Sequence, residues 1–319
     1  MNIDSINELD RFLSEEAVDP AKPILPVGEL VGSWRVCAYL GGGGFGEVYR
    51  VEHVKVGLVC AMKVLRRESR SSKERFFLEA RVLADHPHSA MPRFYELGEV
   101  RGRPYIVMEL LAPRELPKSD REVAKLLRQL CSVVSALHAL NYVHRDVKPS
   151  NVLYRQSGEA VLVDYGLIKK SASSGESKVD RVALTRASVV VGTERYAAPE
   201  QLAGGLVDVS ADIHALGVLS DACFQGNAPW RWNRLIRRAT SSIPGQRFKS
   251  AKAFARAIAW RFVMEGVIIL VSILVLIVAI MTPFAMRQRA SVEVDDVVTT
   301  NSAVSVRSGN ASDSAGEWL

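Results

Sequence analysis

The sequence predicts an α+β protein, strand-forming towards its N-terminus and helical beyond, followed by a single membrane helix. Three observations predict it. Between Gly32 and Lys63, β-branched and aromatic residues alternate around a glycine cluster, as in Trp34-Arg35-Val36 and Glu47-Val48-Tyr49-Arg50-Val51, which is the period of strands. Between Asp120 and Leu140, Val123, Leu126, Leu127, Leu130, Val133, Val134 and Leu137 recur at three and four, the period of a helix. From Gly266 to Met286 the chain carries no charge. That run of about 21 residues, at roughly 1.5 Å each, spans a hydrocarbon core of about 30 Å.

Composition sets bounds around this plan. A chain of 319 residues has room for one large domain or two lobes with real cores. A hydrophobic fraction of 48% and a charged fraction of 24% are ordinary for a globular protein. The net charge of +6 suggests anionic partners such as a nucleotide or a membrane surface; no nucleic-acid partner is expected. Cys37, Cys60, Cys131 and Cys223 lie far apart in apolar or small-residue contexts, which predicts buried thiols in a reducing compartment rather than a disulfide framework or zinc site.

In chain order, residues 1–27 read as a mobile leader. Asp4, Glu8, Asp10, Glu15, Glu16 and Asp19 face a single Arg11 before Lys22, and no apolar segment makes a signal peptide. Ile6, Leu9, Phe12 and Leu13 have helical spacing, and Pro20, Pro23 and Pro26 make an extended connector. Gly41, Gly43 and Gly46 then let the backbone approach a phosphate and present N–H groups to it. Phe45 at that loop's tip is costly unless it covers something. Lys63 ends the next strand, and Lys73–Leu83 reads as a helix with Glu79 one turn from Arg75 and from Leu83. Two short strands follow around Glu96 and Tyr105–Leu110, then the long helix.

That helix delivers the chain to His-Arg-Asp-Val-Lys-Pro-Ser-Asn at His144–Asn151. Asp146 can receive a proton, Lys148 sets a positive charge beside it, and Asn151 offers an amide oxygen to a metal ion. A base, a cation and a metal ligand in one short loop are the parts needed to move a phosphoryl group onto a hydroxyl. Val161-Leu162-Val163 reads as a buried strand leading to Asp164. Lys169–Val191, rich in Ser, Gly and charge without period, reads as a flexible loop.

Five motifs at consistent spacing carry a family resemblance: LGGGGFGEVY at Leu40–Tyr49, Cys60-Ala61-Met62-Lys63, His144–Asn151, Asp164-Tyr165-Gly166 and Ala198-Pro199-Glu200. Over roughly Trp34 to Phe262 the chain resembles a eukaryotic-like serine/threonine protein kinase of bacterial type. The resemblance implies the two-lobed protein-kinase fold over 28–262, with the N-lobe about 28–111 and the C-lobe about 112–262. It implies that Mg2+-bound ATP is used, with Leu40, Gly41, Gly43, Phe45, Gly46, Val48, Ala61, Met108, Glu109, Leu111 and Leu153 around the nucleotide. Lys63 contacts phosphates and is fixed by Glu79, with Glu74 as the fallback. Met108 gates the pocket, and Glu109 to Leu111 form the hinge. Asn151 and Asp164 hold magnesium, Asp146 is the base, and Lys148 steadies the phosphate and marks Ser/Thr substrates.

The same resemblance makes Lys169–Val191 the activation segment. Thr185 and Ser188 are its candidate phosphosites, their phosphate pairing with Arg145, and Thr193 helps hold the substrate loop near Asp146. It implies a Glu200–Arg247 pair, a bracing Asp212 and a dimer for trans-autophosphorylation. His214 reads as a core-edge histidine. Tyr165 replaces the family's phenylalanine, and a helix usual after Trp230 is absent, which leaves substrate docking open. Those two departures support an alternative, a catalytically weak pseudokinase acting as a membrane scaffold. A small-molecule kinase is disfavoured by the Gly192–Glu200 segment.

The membrane helix is placed at 263–286. Arg231 to Arg261 contains Arg and Lys with no Asp or Glu, which by the positive-inside rule puts the kinase domain in the cytoplasm and the disordered tail, 287–319, outside. Arg287 and Arg289 oppose this weakly. The expected partners are therefore a lipid membrane and proteins offering Ser or Thr.

Overall fold

The computed structural model describes residues 23–43, 46–66, 69–170, 194–262, 266 and 270–282. The chain divides into two units, Met1–Ala259 and Trp260–Leu319.

The first unit opens with a six-stranded antiparallel sheet. Its strands are β1 (Leu30–Val31), β2 (Trp34–Gly42), β3 (Gly46–His53), β4 (Val59–Leu65), β5 (Phe94–Val100) and β6 (Arg103–Glu109), in the order β1-β2-β3-β4-β6-β5. β4 is central, so both of its faces are covered. Cys60, Met62 and Val64 point into one core with Trp34, Tyr49, Val51 and Val107. Ala61, Lys63 and Leu65 take the opposite face, as the two-residue period requires. Helix α1 (Arg70–Asp85) packs there, with Phe76 and Ala80 against Leu65 and Ile106. Its start is set by Ser69, whose hydroxyl accepts from the Ser72 N–H at 3.2 Å.

One boundary differs from expectation. The leader was placed at 1–27, yet Leu25 is 1% exposed within the sheet's outer core. The Ile24 N–H donates to Glu47 at 2.8 Å and the Leu25 N–H to the Tyr49 hydroxyl at 3.1 Å. Glu47 is buried, and its carboxylate also accepts from the Tyr49 hydroxyl. A buried carboxylate needs donors, and residues 23–25 supply one. Residues 1–22 lie outside the described set. The cysteine expectation also needs amending, since Cys37 is half-exposed while Cys60, Cys131 and Cys223 are buried, all with free thiols.

The rest of the unit is mainly helical: α2 (Asp120–Ala139), α3 (Pro199–Leu202), α4 (Val209–Cys223), α5 (Trp230–Ala239) and a helix that begins at residue 251. Short antiparallel pairs join β7 (Tyr142–Val143) to β10 (Lys169–Lys170), and β8 (Val152–Tyr154) to β9 (Ala160–Leu162). α2 buries the whole predicted stripe from Val123 to Leu137. α4 is buried nearly all round, as an apolar helix at a lobe's centre must be. Asp208 caps it by accepting from the Ser210 N–H at 2.7 Å.

α5 begins at Trp230, directly after Pro229, so α4 and α5 are joined with no intervening helix. They pack closely at Gly217, where an added Cβ would lie 2.7 Å from Ala239 Cβ and 2.9 Å from Thr240 Cγ2. Gly217→Ala is expected to cost about 1–3 kcal/mol through overpacking, readable as a lowered melting temperature in calorimetry.

In the second unit, residues 270–282 are helical and every side chain there is exposed. Among the described residues, no helix is long and apolar enough to cross a membrane. The predicted run at 263–286 includes residues outside the described set.

Candidate active site

The site is assembled by strand register and by one short loop. In β3 and β4, Val48 lies opposite Lys63; in β4 and β6, Ala61 lies opposite Met108. Directly opposed residues share a face, so Val48, Ala61, Lys63 and Met108 line one side of the sheet. Gly41 stands opposite Val48 with φ 151°, a conformation that disfavours a side chain. Gly46 has a second reason to be glycine, because a Cβ there would come within 2.6 Å of the Val64 carbonyl oxygen. Gly43 has open space around it, while Phe45 lies outside the described residues.

Lys63 is buried, and its Nζ meets both Glu79 oxygens at 2.8 Å and Asp164 Oδ1 at 2.9 Å. Glu79 is thus the partner and Glu74 is not; Glu74 pairs with Arg70 on the helix surface. Burial opposes charge on the lysine, but the Asp164 and Glu79 carboxylates outweigh it and push its pKa up. Burial also opposes ionisation of Asp164, yet the Lys63 charge and hydrogen bond hold its carboxyl at about 2. Two carboxylates share one ammonium, so Glu79 remains raised by burial.

The catalytic loop is held from below by Asp212, fully buried on α4. Its carboxylate accepts from the His144 and Arg145 N–H groups, each at 2.8 Å, and lies 2.8 Å from His138 Nε2. This braces the loop where Arg145 adopts φ 69°, a left-handed conformation costly for a non-glycine residue. Asp164 shares that feature with φ 62°. Above the brace, Asp146 Oδ2 accepts from Asn151 Nδ2 at 2.9 Å and lies 3.0 Å from Lys148 Nζ. Asn151 Nδ2 also donates to the Asp146 carbonyl at 2.8 Å. Both amide hydrogens are thereby directed at Asp146, which leaves Asn151 Oδ1 for a cation.

Pairing of β8 with β9, and a 2.8 Å bond from the Val163 N–H to the Asn151 carbonyl, bring Asn151 beside the strand that leads into Asp164. Burial lowers the pKa of the His144 ring, against the charges of Asp212, Asp146 and Asp164. The ring also packs edge-on against Tyr165 at 5.0 Å between centroids. The Tyr165 hydroxyl donates to the Leu162 carbonyl at 3.0 Å, so this replacement is accommodated without a buried orphan.

The donor set fits magnesium. Asp164 and Asn151 supply carboxylate and amide oxygens, as a hard cation prefers.

The hinge reading concerns backbone groups of Glu109 to Leu111, and the Glu109 side chain has a separate role. The Glu109 N–H donates to the Arg93 carbonyl at 2.9 Å, and its carboxylate is gripped by Arg155 at 2.7 and 2.8 Å. Its side chain therefore fastens the hinge to the C-lobe and is not available to a nucleotide. Leu40 and Leu111 are buried and Leu153 is half-buried; Ala112 and Tyr154 exchange backbone bonds of 3.1 and 2.8 Å, which places Leu111 and Leu153 near each other.

Sequence reasoning missed Arg155 and His138, whose only signal was a basic residue next to an acid two segments away. It also missed Gln201, whose Nε2 donates to the Arg145 carbonyl at 3.2 Å and whose Oε1 accepts from the Ala198 N–H at 3.1 Å. Glu200 and Arg247 pair as expected, at 2.7 and 2.8 Å. His214 is buried at 8% exposure, and burial followed by the Arg247 charge lowers its pKa, in keeping with a core-edge histidine. Thr185, Ser188 and Thr193 lie outside the described residues.

These environments set an acid limit. Burial alone would raise the Asp212 carboxyl, but the His138 hydrogen bond and charge, with further help from His144 and the Arg145 N–H, hold it below the ordinary 3.8. A carboxyl depressed in the folded state stabilises it fully above the unfolded value, and that contribution is lost as pH falls through the folded one. His144, lowered from 6.5 by burial, acts in the same direction at higher pH, because the unfolded chain takes up its proton first. Urea midpoints are therefore expected to fall below about pH 6.5 and to drop more steeply once the pH is below about 4. In Asp212→Asn the steep acid part should flatten.

The family model of the protein kinase domain matches residues 34–261. Serine/threonine-protein kinase Pkn1 of Myxococcus xanthus is 36% identical over 228 residues, 67% of this chain and 31% of that protein. Serine/threonine-protein kinase PrkC of Bacillus subtilis is 27% identical over 261 residues, covering 69% of this chain and 39% of that one. The chain thus spans about a third of the length of the curated relatives it matches. The solved kinase domain of PknI from Mycobacterium tuberculosis superposes with a TM-score of 0.56 at 25% identity, over 74% of this chain and 98% of that one. With a family match over most of its length and the lysine, aspartates and asparagine gathered where the lobes meet, the chain belongs to the protein kinase family.

Proposed function

We propose that this chain is a serine/threonine protein kinase that transfers the γ-phosphoryl group of ATP to Ser or Thr hydroxyls of proteins at the cytoplasmic membrane face. The observation that carries the reading is the ion-paired Lys63–Glu79–Asp164 set joined to the hydrogen-bonded Asp146–Lys148–Asn151 loop. Lys63, fixed by Glu79, positions the nucleotide's phosphates. Asp146 has Oδ2 occupied by Asn151 and Lys148, so Oδ1 faces the task of orienting and deprotonating the hydroxyl. Lys148 neutralises charge beside it. Magnesium, when bound to Asp164 and Asn151, supplies charge neutralisation of the phosphates. Phosphorylation at Thr185 or Ser188, pairing with Arg145, is the proposed activating event.

Membrane attachment rests on the charge-free Gly266–Met286 run and on the basic stretch before it. Tyr165 no longer favours the scaffold alternative, because its hydroxyl is satisfied. The test is incubation of the full chain with γ-labelled ATP, magnesium and a mixed protein acceptor, followed by phosphoamino-acid analysis. Label in phosphoserine or phosphothreonine is expected; label only in phosphotyrosine, or none, defeats the proposal.

A further inference from the structure

Helix α5 has two unlike sides. Trp232, Ile236 and Ala239 are buried towards the lobe. Trp230, Asn233, Arg234 and Arg237, spaced as one helical face, surround an open hollow of about 350 Å³ on the other. Trp230 is 72% exposed, with the Arg231 guanidinium 5.1 Å from its ring centroid. Among the described residues, neither Arg234 nor Arg237 pairs with a carboxylate. No Asp or Glu occurs between Asp221 and Glu265, although Arg and Lys recur throughout that stretch. The face therefore has uncompensated positive charge around an indole that water solvates poorly.

We propose that this α5 face is a membrane-contact surface that binds anionic lipid headgroups, with Trp230 at the headgroup boundary and Arg234 and Arg237 on the phosphates. Indole rings settle at that depth, where one edge is apolar and the other wet. Guanidinium forks match phosphate oxygens in pairs. The occupant follows from charge and from chain order: the acid-free basic stretch continues to within a few residues of the apolar Gly266–Met286 run, so the nearest extended polyanion is the headgroup layer. This rests on the membrane attachment proposed above and adds a second contact that fixes the domain against the bilayer. The surface lies on α5, apart from Lys63, Asp146 and Asp164, so it governs placement rather than chemistry.

The test uses the full chain reconstituted in nanodiscs with brominated acyl chains, made of phosphatidylcholine alone or mixed with phosphatidylglycerol. The fluorescence lost in Trp230→Phe isolates the Trp230 signal from the other tryptophans. That signal is expected to be quenched in the mixed discs, not in the neutral ones, and to be relieved by about 0.5 M salt, which shortens the screening length to a few ångströms. Reversing both charges, in Arg234→Glu/Arg237→Glu, should weaken the contact by about tenfold or more. An unquenched Trp230 in mixed discs that do carry the chain overturns the proposal. If deleting residues 1–22 then exposes Trp230 to aqueous acrylamide, the occupant is the chain's own acidic N-terminal segment. Failure of the chain to co-elute with either disc defeats the membrane anchor instead. Flotation with phosphatidylglycerol vesicles then decides the surface alone: it stands if wild type floats and the double reversal does not, and falls if both behave alike.

Discussion

Asp146→Asn is expected to lower kcat by about 10²- to 10⁴-fold, the range general-base catalysis supplies, with little change in melting temperature or in KM for ATP. The substitution is isosteric, and its amide oxygen can still accept from Asn151 Nδ2 or Lys148 Nζ, now at 2.9 and 3.0 Å from Asp146 Oδ2. The loop therefore keeps its shape, because its brace on Asp212 lies on the backbone of His144 and Arg145. What is lost is the anionic oxygen that draws the hydroxyl proton. ATP is expected to bind through Lys63, which Asp146 does not touch. Initial rates with γ-labelled ATP, beside scanning calorimetry of the same preparation, separate the two effects. Full activity in the variant would remove Asp146 from the mechanism.

Arg247→Met is expected to destabilise the first unit by roughly 3–5 kcal/mol, the usual cost of stripping one partner from a buried ion pair. For a domain of this size, at about 2–4 °C per kcal/mol, the melting temperature should fall by roughly 6–20 °C. Arg247 has a side chain with no exposed surface and engages all three of its guanidinium nitrogens. It bonds Glu200 at 2.7 and 2.8 Å, the Ser210 carbonyl at 3.0 Å and the Ser241 carbonyl at 2.8 Å. Methionine fills much of the volume but withdraws the guanidinium donors from a carboxylate and two carbonyls. Burial pulls the Glu200 carboxyl up and the Arg247 hydrogen bond more than reverses it, so loss of the arginine removes what keeps Glu200 charged. The double variant Glu200→Met/Arg247→Met should recover part of the stability, since no charge is stranded. If the single change costs no more than a surface substitution, the pair is not a structural clamp.

Much of this was legible beforehand. The strand alternation around β3 and β4 and the apolar stripe of α2 are periodic, and period survives folding because it is what the two faces of an element require. Lys63, Asp146, Asn151 and Asp164 were legible through motif spacing, since each sits where an element ends and the chain has few ways to present it. Glu79 was legible by helical register. The roles of Arg155, His138 and Gln201 were not, because each reaches across the fold to a partner dozens of residues away, and one-dimensional spacing holds no record of such an approach. The placement of Leu25 failed for the same reason: prolines announce extended backbone but not which surface it meets.

By itself the sequence determined the strand and helix periods, the chemistry-bearing residue types and their order, since these are properties of the local chain; the two-lobed plan came with the family resemblance that those motifs carry. Only the tertiary structure decided that one lysine is shared by two carboxylates, that Glu109 is a strut, and that Arg145 and Asp164 are held in left-handed backbone. Those depend on distances between segments that become neighbours only once the cores of the lobes are packed, and on donors that arrive from elsewhere to offset the cost of burying charge.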